Sequence, residues 1–299
     1  MPIPYLARLL FLCAWLPITA NATTLERIRE EGQFVLGFVP GNLPFSDGDG
    51  DAEQASGYSI DLCRHVASLV KQQLALPELP VRYRPLTPLD MLDAVRDGKV
   101  DILCAPVVES LERRRRVSFS LPIFTAGLGI LVHQDAPASL MLPLKGESAH
   151  SGPTWRATIN RGLNRHRFAV LKGTVSVDWA RTRIRQLGLQ SELVEVDSNR
   201  EGVEQVVTRQ VDAFFADRLV LLNYQAQHPQ GAQLWVPERL FAVESVAMPL
   251  ARDDEDFRLL VDTALSRLNR SEEGEALYRS YFGELSEQSR LMLRLNSRP

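Results

Sequence analysis

Short apolar runs alternate with longer amphipathic stretches over most of this chain, the rhythm of strands and helices laid down in turn. Residues 34–39 (FVLGFV) form the first such run and predict a strand, closed by the turn Pro40-Gly41-Asn42-Leu43-Pro44. After a hydrophilic loop at 47–56, Gly57-Tyr58-Ser59-Ile60-Asp61-Leu62 opens a helix whose Leu62, Cys63, Val66, Leu69 and Val70 share one face. Leu89, Leu92 and Val95 mark the apolar face of a second helix, which Gly98-Lys99 stop before the run 100–104, apolar enough to be covered on both faces of a parallel sheet. Further on, 168–171 reads as a strand, Gly173-Thr174 as a tight turn and 175–187 as a helix.

The helix, turn and strand unit of 87–104 occurs a second time at 202–216. There Val203, Val206 and Val207 face one way, and Arg209-Gln210 lead into Val211-Asp212 and Ala-Phe-Phe-Ala. Two copies, each set in alternating helix and strand, predict two α/β lobes with parallel sheets rather than a sandwich or a bundle. The length also suits two domains. The second lobe is expected to begin with the extended segment 127–132, after the break at Pro122, and the polar stretch 134–167 is expected on the surface.

The first 22 residues carry one charge, Arg8, ahead of the apolar LLFLCAWL, and end in Ala20-Asn21-Ala22, a small-x-small cleavage site. This predicts a secretory signal peptide, too short in its apolar core to span a bilayer. Leu12 stands where a lipoprotein signal needs a small residue before Cys13. Without this segment the chain has 33 basic and 37 acidic side chains, a balance that gives no reason to expect nucleic acid or an anionic membrane as partner. The acid-rich loop 47–56 lacks the spacing and distal glutamate of an EF-hand. Cys63 and Cys104 both sit in apolar runs; a disulfide is open to an exported chain, but buried free thiols are the expectation. With no His-x-x-x-His or Cys-x-x-Cys, no metal and no cofactor is inferred.

Glu112 and Arg113 stand just beyond the run 100–104, at the carboxyl end of the strand, where open α/β sheets gather their ligand sites. The order Ser110-x-Glu112-Arg113, then Val117-x-Phe119-Ser120-x-Pro122, resembles the signature of family 3 extracellular solute-binding proteins, the periplasmic receptors of polar amino acid ABC transporters. The helix start 57–62, the turn Gly173-Thr174, Val211-Asp212 with Asp217, and the closing helices 254–268 and 272–282 resemble further parts of that family, so the likeness runs from about 24 to 283. It implies a periplasmic binding protein-like fold of type II: two Rossmann-like α/β lobes with a ligand cleft between them, joined by two crossover strands near 125–130 and 243–248. The implied division is a signal peptide at 1–22, lobe one at 23–126 with 247–284, lobe two at 127–246, and a C-terminal tail at 285–299. The implied partners are a small-molecule ligand, an amino acid or related small carboxylate, and an ABC transporter permease, met by a monomer in the periplasm that performs no catalysis.

A zwitterion held between two lobes needs a cation and backbone donors for its carboxylate and an anion for its ammonium. Arg113 offers a planar, two-pronged donor that lysine does not match. The amides near Thr174, Val175 and Ser176, at a helix start, offer uncharged donors, and Asp217 the anion. Ser110, Asn42 and Phe38 complete the expected site, with Arg114, Arg115 and Arg116 left as surface charges. The competing readings are a solvated arginine within that run and an ordinary helix cap at Asp217. Departures from the family pattern narrow the ligand. Pro106 and Val108 stand where glycine and a hydroxyl residue are usual, and Val39 stands where the glutamate and aspartate branch carries arginine, so the wall Phe38, Val39, Asn42, Pro106 and Val108 is largely apolar. Two alternatives stay open: an accessory or sensory periplasmic protein with altered ligand, and an enzyme like cyclohexadienyl dehydratase, with Glu109 as its acid or base but no second catalytic partner.

Overall fold

The computed structural model describes residues 22–48, 55–146 and 163–299; the expected signal peptide, the centre of the 47–56 loop and the middle of the 134–167 stretch lie outside the described residues. In chain order the first elements are α1 (Thr24–Glu31), β1 (Phe34–Phe38), α2 (Tyr58–Leu74), β2 (Val81–Pro85), α3 (Met91–Arg96), β3 (Ile102–Leu103), β4 (Val107–Val108), β5 (Ser118–Phe119) and β6 (Phe124–His133). There follow α4 (Ala138–Lys145), β7 (Arg167–Leu171), α5 (Val175–Gln186), β8 (Glu192–Val196), α6 (Asn199–Val207), β9 (Ala213–Asp217), α7 (Arg218–Gln227) and β10 (Leu234–Trp235). The chain closes with β11 (Ala242–Ala247), β12 (Pro249–Leu250), α8 (Glu255–Asn269), α9 (Glu272–Phe282) and α10 (Glu287–Leu295).

Two sheets result, ordered β2-β1-β3-β12-β5 and β4-β11-β6-β9-β7-β8, the second with β10 on β6. The heart of each is parallel, β2-β1-β3 in one and β9-β7-β8 in the other. The strands around these hearts pair antiparallel, so both sheets are mixed rather than parallel throughout. The two strands that pass between the lobes, β6 and β11, run antiparallel side by side, and β11 leads through Met248 into β12 of the first sheet.

The repeated Val-Asp unit has a physical reason. The Asp101 amide donates to the Val35 carbonyl while its carboxylate accepts from the Val35 amide at 2.7 Å; Asp212 does the same with Arg167, also at 2.7 Å. Each aspartate thus registers its strand against the first parallel neighbour with a closed pair of bonds. Asp101 is buried and is also met by the Arg27 guanidinium at 2.6 Å. Burial nonetheless raises its pKa, against the lowering by the Val35 amide and Arg27.

Successive residues of β1 face opposite sides of its sheet. Phe34, Leu36 and Phe38 pack under α2 and α8, whereas Val35 and Val39 pack with Met91, Leu92 and Val95 of α3. The alternation continues into 102–105: Ile102 and Cys104 belong to the α2 side, Leu103 and Ala105 to the α3 side. Cys63 of α2 therefore meets Cys104 with a Cα separation of 6.0 Å, and the two form a disulfide. This corrects the expectation of free thiols, because the helix face that buries Cys63 lies on the sheet face that carries Cys104.

After β12 the chain returns to lobe one. Phe257, Val261 and Leu265 of α8 enter the core beneath β1, and the Tyr281 hydroxyl of α9 donates to Asp61 of α2 at 2.7 Å. The segment 285–299, expected as a tail, instead folds as α10, capped by Ser286. Leu293 and Ser297 are buried, and the Arg298 amide donates to Ser266 of α8 at 2.9 Å.

Candidate functional site

Between the lobes lies a cavity of about 140 Å³. Val39, Asn42, Pro106, Val108 and Arg113 line it from lobe one, and Thr174, Val175, Ser176, Asn199 and Asp217 from lobe two. Arg113 begins a single 3-10 turn that follows β4, whose start is held by Ser110, the hydroxyl accepting from the Arg113 amide at 3.2 Å. The guanidinium then points back along its own lobe, donating to the Val108 carbonyl at 3.0 Å and across the cleft to the Gly173 carbonyl at 3.2 Å. Of its five N–H groups these bonds occupy two. No carboxylate lies within ion-pair distance of it among the described residues, and burial lowers its pKa, with Glu112 opposing from further away. The cleft thus holds a partly desolvated cation with no ion-pair partner among the described residues.

Asp217 ends β9 and caps α7, accepting from the Leu219 and Val220 amides on one oxygen and from Gly127 on the other. Burial raises its pKa against these three donors. It is a helix cap and a cavity wall at once, the second oxygen holding a single bond at 3.2 Å. The neighbouring helix start is left open in a different way. Thr174 occupies the cap position of α5, but its hydroxyl turns back to the Leu171 carbonyl at 2.6 Å instead of capping. The first amides of a helix have no carbonyl one turn earlier to bond, so those of Val175 and Ser176 stand at the cavity uncapped.

The lobes touch across this cavity. The Gly41 carbonyl accepts from two lobe-two side chains, the Asn199 amide nitrogen at 3.1 Å and the Tyr224 hydroxyl at 3.0 Å. Gly41 has φ +67°, and a Cβ there would stand 3.0 Å from the tyrosine oxygen. Gly173, at φ +74°, packs on Pro88, whose carbonyl would lie 2.9 Å from an added Cβ. Glycine at both positions lets the Tyr224 hydroxyl and the Pro88 backbone approach this closely. Asn199 is only 6 % exposed, and its side-chain oxygen is buried without a hydrogen-bond partner while its residue lines the cavity. Burying an acceptor unpaired is costly, so this oxygen calls for a donor from the cavity.

Six of the eight residues expected at the site meet at this cavity: Arg113, Asp217, Thr174, Val175, Ser176 and Asn42. Phe38 does not. It is fully buried in the lobe-one core, because Val39 next to it takes the cleft side and neighbours in a strand point to opposite faces. Ser110 also stands off the cavity wall and acts on the backbone of Arg113. Glu109 pairs with Arg114 at 3.1 Å and does not line the cavity, and Arg116 pairs with Asp93. Asn199 and Tyr224 were not anticipated. The Ser198-Asn199-Arg200-Glu201 sequence is a legible helix start, with Ser198 capping Glu201, directly after a parallel strand; its position at the carboxyl edge is the signal that could have found Asn199.

Comparison with known proteins follows the same line. The L-glutamate/L-aspartate-binding protein of Pseudomonas aeruginosa is 26 % identical over 268 residues, 89 % of this chain and 82 % of that protein. A glutamate/aspartate import solute-binding protein of Escherichia coli is 22 % identical over 265 residues, covering 88 % and 80 %. Among solved structures, a solute receptor for L-cysteine of Neisseria gonorrhoeae superposes with a TM-score of 0.70 at 19 % identity, over 90 % of this chain and 98 % of the other. An ancestral amino acid-binding protein, described as a precursor of cyclohexadienyl dehydratase, gives 0.68 at 23 % identity over 87 % and 100 %. These likenesses establish the two-lobed fold of type II. Residues 34–284 match the profile of the bacterial extracellular solute-binding proteins, family 3, and the chain belongs to that family.

Proposed function

We propose that this receptor closes on a small amino acid with an uncharged side chain, and that it works in the periplasm as a monomer that delivers this ligand to an ABC transporter permease. The observation that carries the reading is the cavity itself: a half-buried Arg113 with no ion-pair partner among the described residues, the uncapped amides of Val175 and Ser176, and the carboxylate of Asp217 line one space. A ligand carboxylate supplies the charge that Arg113 lacks, and a ligand ammonium supplies donors for Asp217 and for the orphaned oxygen of Asn199. Pro106 has no N–H and Val108 spends its carbonyl on Arg113, so the lobe-one wall offers few bonds to a polar side chain.

Size and charge set the selectivity. The cavity of about 140 Å³ is close to an engineered protein cavity of about 150 Å³ that accepts benzene, and alanine has as many non-hydrogen atoms as benzene. Glutamate and aspartate bring a second carboxylate, and Arg113 is the cavity's single cationic side chain among the described residues. Although two relatives are named for those acids, Val39 leaves a second carboxylate unpaired here, at a cost of several kcal/mol. Binding without chemistry is favoured over the dehydratase reading because Glu109 is tied to Arg114 outside the cavity.

The test is a thermal-shift panel of the common amino acids and small carboxylates on the purified mature protein. A ligand at one hundred times its dissociation constant adds about 2.7 kcal/mol of stability. Small neutral amino acids are expected to raise the melting temperature and glutamate to leave it unmoved. Tight glutamate binding by calorimetry would reject the proposed selectivity, and inertness to the whole panel would favour an accessory role with another ligand.

A further inference from the structure

We propose that lobe two carries a second ligand site, a pocket between α4 and α5 that takes an amphipathic carboxylate, such as a medium-chain fatty acid or an aryl acid. The pocket holds about 400 Å³, within the range of small-molecule sites. Its floor is aromatic: Trp179, Phe215 and Phe241 lie with ring centroids 5.4 to 6.0 Å apart, and Phe168 packs on Phe215. Phe215 is the one described residue that lines both this pocket and the interlobe cavity, so the two are separate spaces back to back.

Two cations line it. Arg183 lies 5.9 Å over the Trp179 ring and Arg239 5.1 Å over Phe241. Arg239 donates to the Pro143 carbonyl at 2.7 Å and Arg183 to the Gln186 side chain at 3.4 Å; neither forms an ion pair among the described residues. Arg167, Arg181 and Arg209, elsewhere on the surface of this lobe, are by contrast paired with acids. Beside the two cations, Leu187 and Leu240 line the same pocket while 39 % and 43 % exposed. An apolar interior selects hydrocarbon, and two guanidinium groups without counter-ions select an anion. No acidic side chain lines the pocket among the described residues, so a carboxylate meets no repulsion there and an amine gains no partner.

Octanoate, octylamine and 1-octanol titrated into the full mature chain by calorimetry test the proposal. Octanoate is expected to bind with one-to-one stoichiometry, and octylamine and octanol at least tenfold more weakly. The double variant Arg183→Glu/Arg239→Glu, both exposed side chains whose loss leaves the fold intact by circular dichroism, is expected to weaken octanoate at least tenfold and to leave amino acid binding unchanged. Arg113→Ala is expected to leave octanoate binding unchanged, which separates this pocket from the cleft and makes the outcome independent of the function proposed for it. Absence of octanoate binding, equal binding of all three compounds, or full octanoate affinity in the folded double variant would overturn the second site.

Discussion

Replacing Arg113 with alanine is expected to abolish ligand binding in calorimetry, while Arg115→Ala changes it little. Arg113 lies in the cleft with no carboxylate within ion-pair distance among the described residues, and its guanidinium reaches both the Val108 carbonyl of its own lobe and the Gly173 carbonyl of the other. Truncating one partner of a buried charge pair typically costs about 2 to 5 kcal/mol, some thirty- to several-thousand-fold in affinity. Arg115 is exposed, so its loss leaves no buried charge unpaired. Arg113→Lys is expected to recover only part of the binding, since an ammonium matches neither the two carbonyls nor a carboxylate at once. Both lobes should remain folded, because Arg113 stands outside the apolar clusters that hold them. Equal effects of the alanine substitutions at 113 and 115, or unfolding with Arg113→Ala alone, would assign Arg113 a structural role.

Removing the disulfide is expected to have a comparably large effect on stability. Cys63 and Cys104 close a loop with a sequence separation of 41, for which loop-closure entropy gives about 4 kcal/mol of stabilisation. The paired Cys63→Ala/Cys104→Ala protein should lose that much in urea unfolding, with its midpoint falling and its slope rising, because the unfolded chain without the crosslink is less compact. The effect should be strongest on the cleft's lobe-one wall, since Ala105 and Pro106 follow Cys104 directly and line the cavity. A loss below about 1 kcal/mol would mean that α2 and the sheet hold their register through packing alone.

The architecture was legible in the sequence where a local pattern had a single physical solution. The helix, turn and Val-Asp strand could be read twice because each aspartate closes the same pair of bonds with a neighbouring strand. Arg113 and the α5 start were legible because a charged or hydrogen-bonding group at a strand's carboxyl end has few places to go but the cleft. What stayed hidden depends on contacts between distant residues. β1 is buried along its whole length, so no polar residue marks which of Phe38 and Val39 faces the cavity. The cysteine pairing follows from the side of the sheet on which α2 lies, which no spacing reveals. Asn199 and Tyr224 reach Gly41 across separations of 158 and 183 residues, beyond any local pattern. The helix α10 was within reach, its Ser286 cap and alternating apolar and charged residues being local signals passed over.

The double grip on the Gly41 carbonyl separates two properties that a receptor otherwise tunes together. Those bonds join the lobes through protein groups alone, and the apparent dissociation constant is the intrinsic one divided by the fraction of molecules already competent to bind. To the extent that closure supplies competence, the Tyr224 contact enters every ligand's affinity as the same multiplier. Tyr224, which does not line the cavity, can therefore reset how tightly the receptor holds all its ligands while their order of preference stays with the cavity wall. A lineage can in this way match one receptor to scarce or abundant supply by changing a residue that never meets the nutrient.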